Sequence, residues 1–363
     1  MDGKLILRKS FFTETRQRIF EAGPLYADTF VYPTGIQALT IGNERGYITL
    51  LPYMGQMVWD AVFDGKDLTM DNMFKAPRPA SQIVETYGCY LYHSGLLRNG
   101  CPGPEDDHAL HGEMPCAPMD SAELVFGEDE NGAFLRLEGT YEYVMGFGDH
   151  YMARPSVTLH AGSALMDVVM DVENLGAVGM DLMYMCHTNP AFETGAEMIQ
   201  PCTDSPEDIV TRTSIPGHVK PTPAWMDFLN QVKDNPGRMN VLDEPENYDP
   251  EFVFFLKNLK QDEAGIVHTL MKLTDGSAQY LGYDGESFSH LTRWILKNDS
   301  QGVAAFALPG SCEPEGYTAE TAKGNVRTLA PGERTAFRVS AGLLSADEAQ
   351  AIETKINELK EGK

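Results

Sequence analysis

The segment DDHALHGE, Asp106–Glu113, puts two histidines and three carboxylates into eight residues. His108, His111 and Glu113 are types that ligate a divalent cation or exchange protons near neutral pH. The spacing of His108 and His111 brings side chains together only on a helix. Pro102, Gly103 and Pro104 before the segment, Gly112 within it and Pro115 after it all oppose one. If the segment is extended instead, His111 and Glu113 share a face and His108 points away, so three ligands do not converge. Two other places carry comparable chemistry. His187 in MYMCHTNPAF closes an alternating run that Asn189-Pro190 ends, which places the imidazole at a sheet rim. Glu313 in ALPGSCEPEGYTAE follows a further apolar run. A carboxylate and two imidazoles delivered by separate strands form a general acid–base set for a small polar ligand.

The elements that must position these residues are strands. In AFLRLEGTYEYVM, Leu135, Leu137, Tyr141, Tyr143 and Met145 alternate with Arg136, Glu138, Thr140 and Glu142. In ALMDVVMDVENLG, Met166, Val168, Met170 and Val172 oppose Asp167, Asp171 and Glu173. This period of two, punctuated by turn clusters such as GNERG, GEDENG and ENLG from about residue 37 to 344, predicts a large antiparallel β-sandwich or barrel. Helix is confined to a few places. TPAWMDFLNQVKDNPG (222–237) opens with Thr-Pro and stops at Asn-Pro-Gly, and residues 345–363 open with Ser345 and Glu348 in capping-box spacing. No repeat or linker divides the chain. One all-β domain over 1–363 is expected, with 1–36 as an N-terminal extension packing on it and a C-terminal helix.

The 363 residues carry a net charge of -25 and a pI near 4.6, which argues against nucleic-acid and anionic-membrane partners. The first residues lack the pattern of a signal peptide, and no apolar run reaches the length of a membrane span. The six cysteines form no CxxC pair. A reduced, cytoplasmic protein without structural metal is expected. The sequence leaves the oligomeric state open.

In their order, these residues resemble the aldose 1-epimerase (galactose mutarotase-like) family. LTIGNERGYITLLPYMGQMVWDAVF is similar to its opening strands, and Leu110-His111-Gly112 to its LHG motif. LMDVVMDVENLGAVGMDLMYMCHTNPAF is similar to its run that ends in a histidine, and EPEGYT before LAPGERTAFRV to its EP and PGE elements. The resemblance implies the galactose mutarotase-like supersandwich, and an isomerase that interconverts sugar anomers by ring opening and closure without a cofactor. It places the general base on Glu313, the principal acid on His187 and a second donor on His111. It also suggests sugar contacts at His108, Arg98, Asp249 (in YDPEFVFF), Arg293 and Trp294 (in HLTRWIL). The family's arginine segment is absent, and the residues after His187 differ from its aromatic pattern. Two alternatives stay open: a non-catalytic carbohydrate-binding protein on the same fold, and a metal-dependent sugar isomerase using His108, His111, Glu113 and His93 or His187.

Overall fold

The structure, a computed structural model, describes residues 2–217 and 219–362. Two antiparallel sheets, of nine and twelve strands, face each other, and a two-stranded ribbon accompanies them. The smaller sheet is built around the long strands Ser121–Asp129, Gly132–Val144, His150–His160, Leu165–Asn174 and Arg334–Leu344. Period-two alternation explains their burial. Leu135, Leu137, Met166, Val168, Met170 and Val172 point into the space between the sheets. Met145 departs from the expected pattern: it lies beyond the end of its strand and is 55% exposed.

The larger sheet meets this face with Ile41, Ile48, Phe63, Cys186, Phe254 and Phe306. Each fully buried side chain of this size contributes roughly 1.5–3 kcal/mol, so the shared core is the principal source of stability. Five adjacent strands of this sheet position the candidate functional side chains. Their order is Glu251–Leu256, His290–Lys297, Gly302–Gly310, Met185–Thr188 and Leu91–Ser94. Alternation gives them a second face, away from the main core, and that face carries Met185, His187, Tyr92, Trp294 and Leu308.

The N-terminal residues are woven into both sheets rather than only resting on them. Gly3–Ile6 pairs with Ser121–Asp129 at an edge of the smaller sheet, while Gln17–Ala22 and Leu25–Val31 extend the larger one. The helix Pro223–Asp234 starts as its sequence requires, with the Thr222 side chain accepting the Trp225 amide. The helix Ala346–Glu361 carries the Ser345–Glu348 capping box and buries Ala349 and Ile356 against Leu270 and Tyr280. No helix among the described residues is long and apolar enough to cross a membrane.

Candidate active site

A cavity of about 340 Å³ opens on the outer face of the five strands, and His111, His187, Tyr87, Arg212, Glu251, Thr292 and Trp294 line it. His187 sits on the strand Met185–Thr188, paired across to Tyr92 on Leu91–Ser94. Its ring stacks on Tyr92 with centroids 4.4 Å apart and meets His111 edge-on at 4.8 Å. Nε2 lies 3.4 Å from the Tyr87 hydroxyl, and Nδ1 is buried on the side of the Asn189 side chain without a hydrogen bond of good geometry among the described residues. Burial holds His187 well below the usual imidazole range, and the neighbouring His111 acts in the same direction. His187 is therefore a neutral imidazole at physiological pH.

His111 comes from the loop that the sequence left undecided. That loop is neither helical nor extended: His111 has φ +62° and Gly112 φ +77°. A Cβ at Gly112 would lie 2.0 Å from the Arg98 carbonyl oxygen, so the turn requires glycine there. The backbone of His111 is tied at both ends, its amide to Gly100 O and its carbonyl to the Gly95 amide. Its Nδ1 lies 3.0 Å from Ser94 Oγ. Ser94 Oγ in turn donates to Asn99 Oδ1, and Asn99 Nδ2 is turned to Cys312 Sγ. With the Ser94 proton committed to Asn99, His111 Nδ1 is the donor in its own contact, and Nε2 is the basic nitrogen of the ring.

Glu251, the first residue of its strand, supplies the carboxylate of the cavity. Arg212 Nη2 donates to Oε1 at 2.8 Å and Trp294 Nε1 to Oε2 at 2.7 Å. The side chains of the ion pair are 8% and 13% exposed, so the pair is largely desolvated. Thr292, on the same face of its strand as Trp294, is buried, and its hydroxyl has no partner among the described residues.

The residues expected from the sequence divide sharply. His111, His187 and Trp294 meet in the cavity. Glu313 does not line it. Its carboxylate takes the Lys323 ammonium at 2.7 Å and faces a separate depression with Lys257, His290 and Asn325. Lys323 also bonds Glu315 at 2.6 Å and Glu320 at 2.7 Å, so an ammonium already occupies the one three-carboxylate cluster found among the described residues. Arg293 points to the opposite side of its strand from Trp294, because neighbouring residues alternate. There it is 1% exposed and bonds Gln200, Asn240 and Phe306 O. Arg98 lies over the Tyr317 ring at 3.8 Å, His108 bonds Ala109 O, and Asp249 is exposed; none of the three lines the cavity. The alternative ligand trio of His108, His111 and Glu113 is dispersed, as the turn signals around it implied, since Glu113 accepts the Leu96 and Leu97 amides and the Tyr151 hydroxyl. His93 lies on the core side of its strand, 2.8 Å from the Tyr184 hydroxyl.

Residues 34–343 match the family described as "Domain of unknown function (DUF4432)". The chain belongs to this family. Solved structures show which fold it shares. A candidate aldose 1-epimerase from Klebsiella pneumoniae is 17% identical, with a TM-score of 0.79 over 99% of this chain and 96% of that one. A galactose mutarotase-like protein from Clostridium acetobutylicum is 12% identical, with a TM-score of 0.58 over 88% and 98%. A candidate aldose 1-epimerase from Escherichia coli K12 is 14% identical, with a TM-score of 0.52 over 91% and 98%. At these identities the likeness establishes the fold, which is the galactose mutarotase-like sandwich that the motifs implied. No curated protein sequence matches the chain.

Proposed function

We propose that the cavity binds a monosaccharide and interconverts its anomers, as an aldose 1-epimerase does, with the His111–His187 pair moving the protons. The observation that carries this reading is the edge-on pair of imidazoles, 4.8 Å apart, in a cavity with a fixed carboxylate on its wall. Two imidazoles this close do not both carry a positive charge, and His187 is the neutral one. His187 then takes the proton of the anomeric hydroxyl, and protonated His111 gives one to the ring oxygen as the C1–O5 bond breaks. Rotation about C1–C2 and the reverse transfers close the other anomer. The pair holds one proton before and after, so the cycle is balanced without a cofactor. Glu251, held by Arg212 and Trp294, accepts a sugar hydroxyl. In this scheme it is the carboxylate of the site, in place of Glu313, which Lys323 neutralises.

Anomer exchange across a panel of aldoses, followed by NMR saturation transfer, tests the proposal. Exchange accelerated by the protein and lost in His111→Gln and His187→Gln is the expected result. No acceleration of any aldose would overturn it. The two donors already on Glu251 favour one second reading, a binding protein on the same fold, because they weaken that carboxylate as a base. That reading predicts saturable sugar binding without acceleration.

A further inference from the structure

We infer that the preferred ligand is a neutral monosaccharide with a deoxygenated edge, a methyl or methylene where a common aldose carries a hydroxyl. This rests on the reading above and narrows it to a substrate class. The cavity of about 340 Å³ lies near the lower end of small-molecule sites, which suits one sugar ring rather than a chain. Its polar groups are few: His111, His187 and Tyr87 stand together, Glu251 is bonded to Trp294 and Arg212, and Thr292 and Gln301 complete the set. The floor is different. Met185, Leu296 and Leu308 belong to a separate apolar cluster with Met70, Val303 and Ala305, and these three line the cavity. The apolar surface continues to the mouth, where Met73 and Val84 line the cavity while 66% and 51% exposed. A hydroxyl laid on that floor gives up its water hydrogen bonds and gains none, whereas a methyl group gains by the same transfer.

Charge narrows the class further. Among the described residues, the permanently charged lining of the cavity is the Arg212–Glu251 pair, whose two members cancel, and the single proton of the His111–His187 pair is the one the reaction moves. A uronate or sugar phosphate would compete with Glu251 for Arg212 and bring a second negative charge beside it in a largely dry site. The ligand that fits has hydroxyls for the histidine pair and Glu251, an apolar edge to lie over Met185, Leu296 and Leu308, and no ionised group.

The test compares D-galactose with its 2-deoxy and 6-deoxy counterparts and with D-galacturonate on the wild-type protein. Anomer exchange and ligand-observed NMR binding are read in parallel. At least one deoxy sugar should exceed the parent by about 10- to 100-fold in kcat/KM or in affinity, with the uronate weakest. Exchange of all four at similar rates, or a preference for the uronate, would overturn the substrate class while leaving the epimerase reading intact. Selective binding of a deoxy sugar without exchange would do the reverse. Leu308→Gln should erase the preference, with its fold checked by circular dichroism. The wild-type comparison stands by itself if that variant does not fold.

Discussion

The cavity and the Glu313–Lys323 cluster lie along the same strands, and both gather ionisable side chains, yet they are built on opposite terms. Around Lys323, the ammonium meets three carboxylates at 2.6–2.7 Å, and Asn325 donates to Glu320. The donors and acceptors there satisfy one another. In the cavity, His187 Nδ1 and the Thr292 hydroxyl are buried without hydrogen bonds of good geometry among the described residues, and His187 is kept neutral by desolvation. Polar groups that satisfy one another serve stability. Polar groups left unsatisfied in the wall of a cavity mark a site rather than a scaffold.

Exchanging the roles of the two regions would break the comparison. His187→Gln should lower anomer exchange by about 100- to 10,000-fold with little change in melting temperature. Glu313→Gln should leave kcat of the folded protein within about tenfold on the same scale. The opposite ranking of these two variants would return the carboxylate role to Glu313. Lys323→Met should act on stability instead, because it strands Glu313 and Glu320, whose side chains are 9% and 0% exposed. A loss of about 3 kcal/mol is expected in urea unfolding, with kcat of the folded fraction preserved.

Acid sharpens the contrast. Burial lowers His93 to about 3 and also lowers His187. Below pH 6.5 the unfolded chain binds protons that these folded imidazoles refuse, so stability is full above that pH and falls as acid is added. The expected slope is about 1.4 kcal/mol per pH unit for each such histidine. His93→Asn should remove one histidine's share of the slope between pH 6.5 and 4, measured by urea unfolding. The smallest effect is expected from Ser94→Ala. It removes the contact to His111 Nδ1, and a several-fold fall in kcat, about 1 kcal/mol, should follow with KM unchanged.

The reach of the forces involved decides which features are legible in the sequence. Period-two burial in Leu165–Asn174 and the Ser345 cap are local and legible, and so is the Thr222 start of the first long helix. His187 is legible because strand alternation and the Asn-Pro stop are local as well. His111 is found through the LHG resemblance, although its turn conformation depends on packing against Arg98 and Gly95. Glu251 and Arg212 are missed. In a chain with 53 acidic residues a glutamate at the head of EFVFFL reads as a solvated strand end, and its partner lies 39 positions away. One signal was available: Glu251 is the only charged residue of that strand and shares its alternation with Val253. Glu313 shows the converse limit, since Lys323 captures its carboxylate through the intervening helix Tyr317–Lys323.

The five-strand floor has a consequence for how the protein breathes. Met185–Thr188 and His290–Lys297 are interior strands of the larger sheet, flanked on both sides by hydrogen-bonded neighbours. Their amides exchange with solvent only when the sheet itself is disrupted, so His187 and Trp294 inherit the full cooperativity of the domain. Over the cavity, Met73, Phe74 and Val84 belong to a stretch with little regular structure, in which Asn72 and Thr86 side chains replace ladder bonds. Deuterium uptake should therefore be slow beneath the cavity and fast above it. Ligand entry and release are then set by local opening of that roof, over a floor that stays fixed.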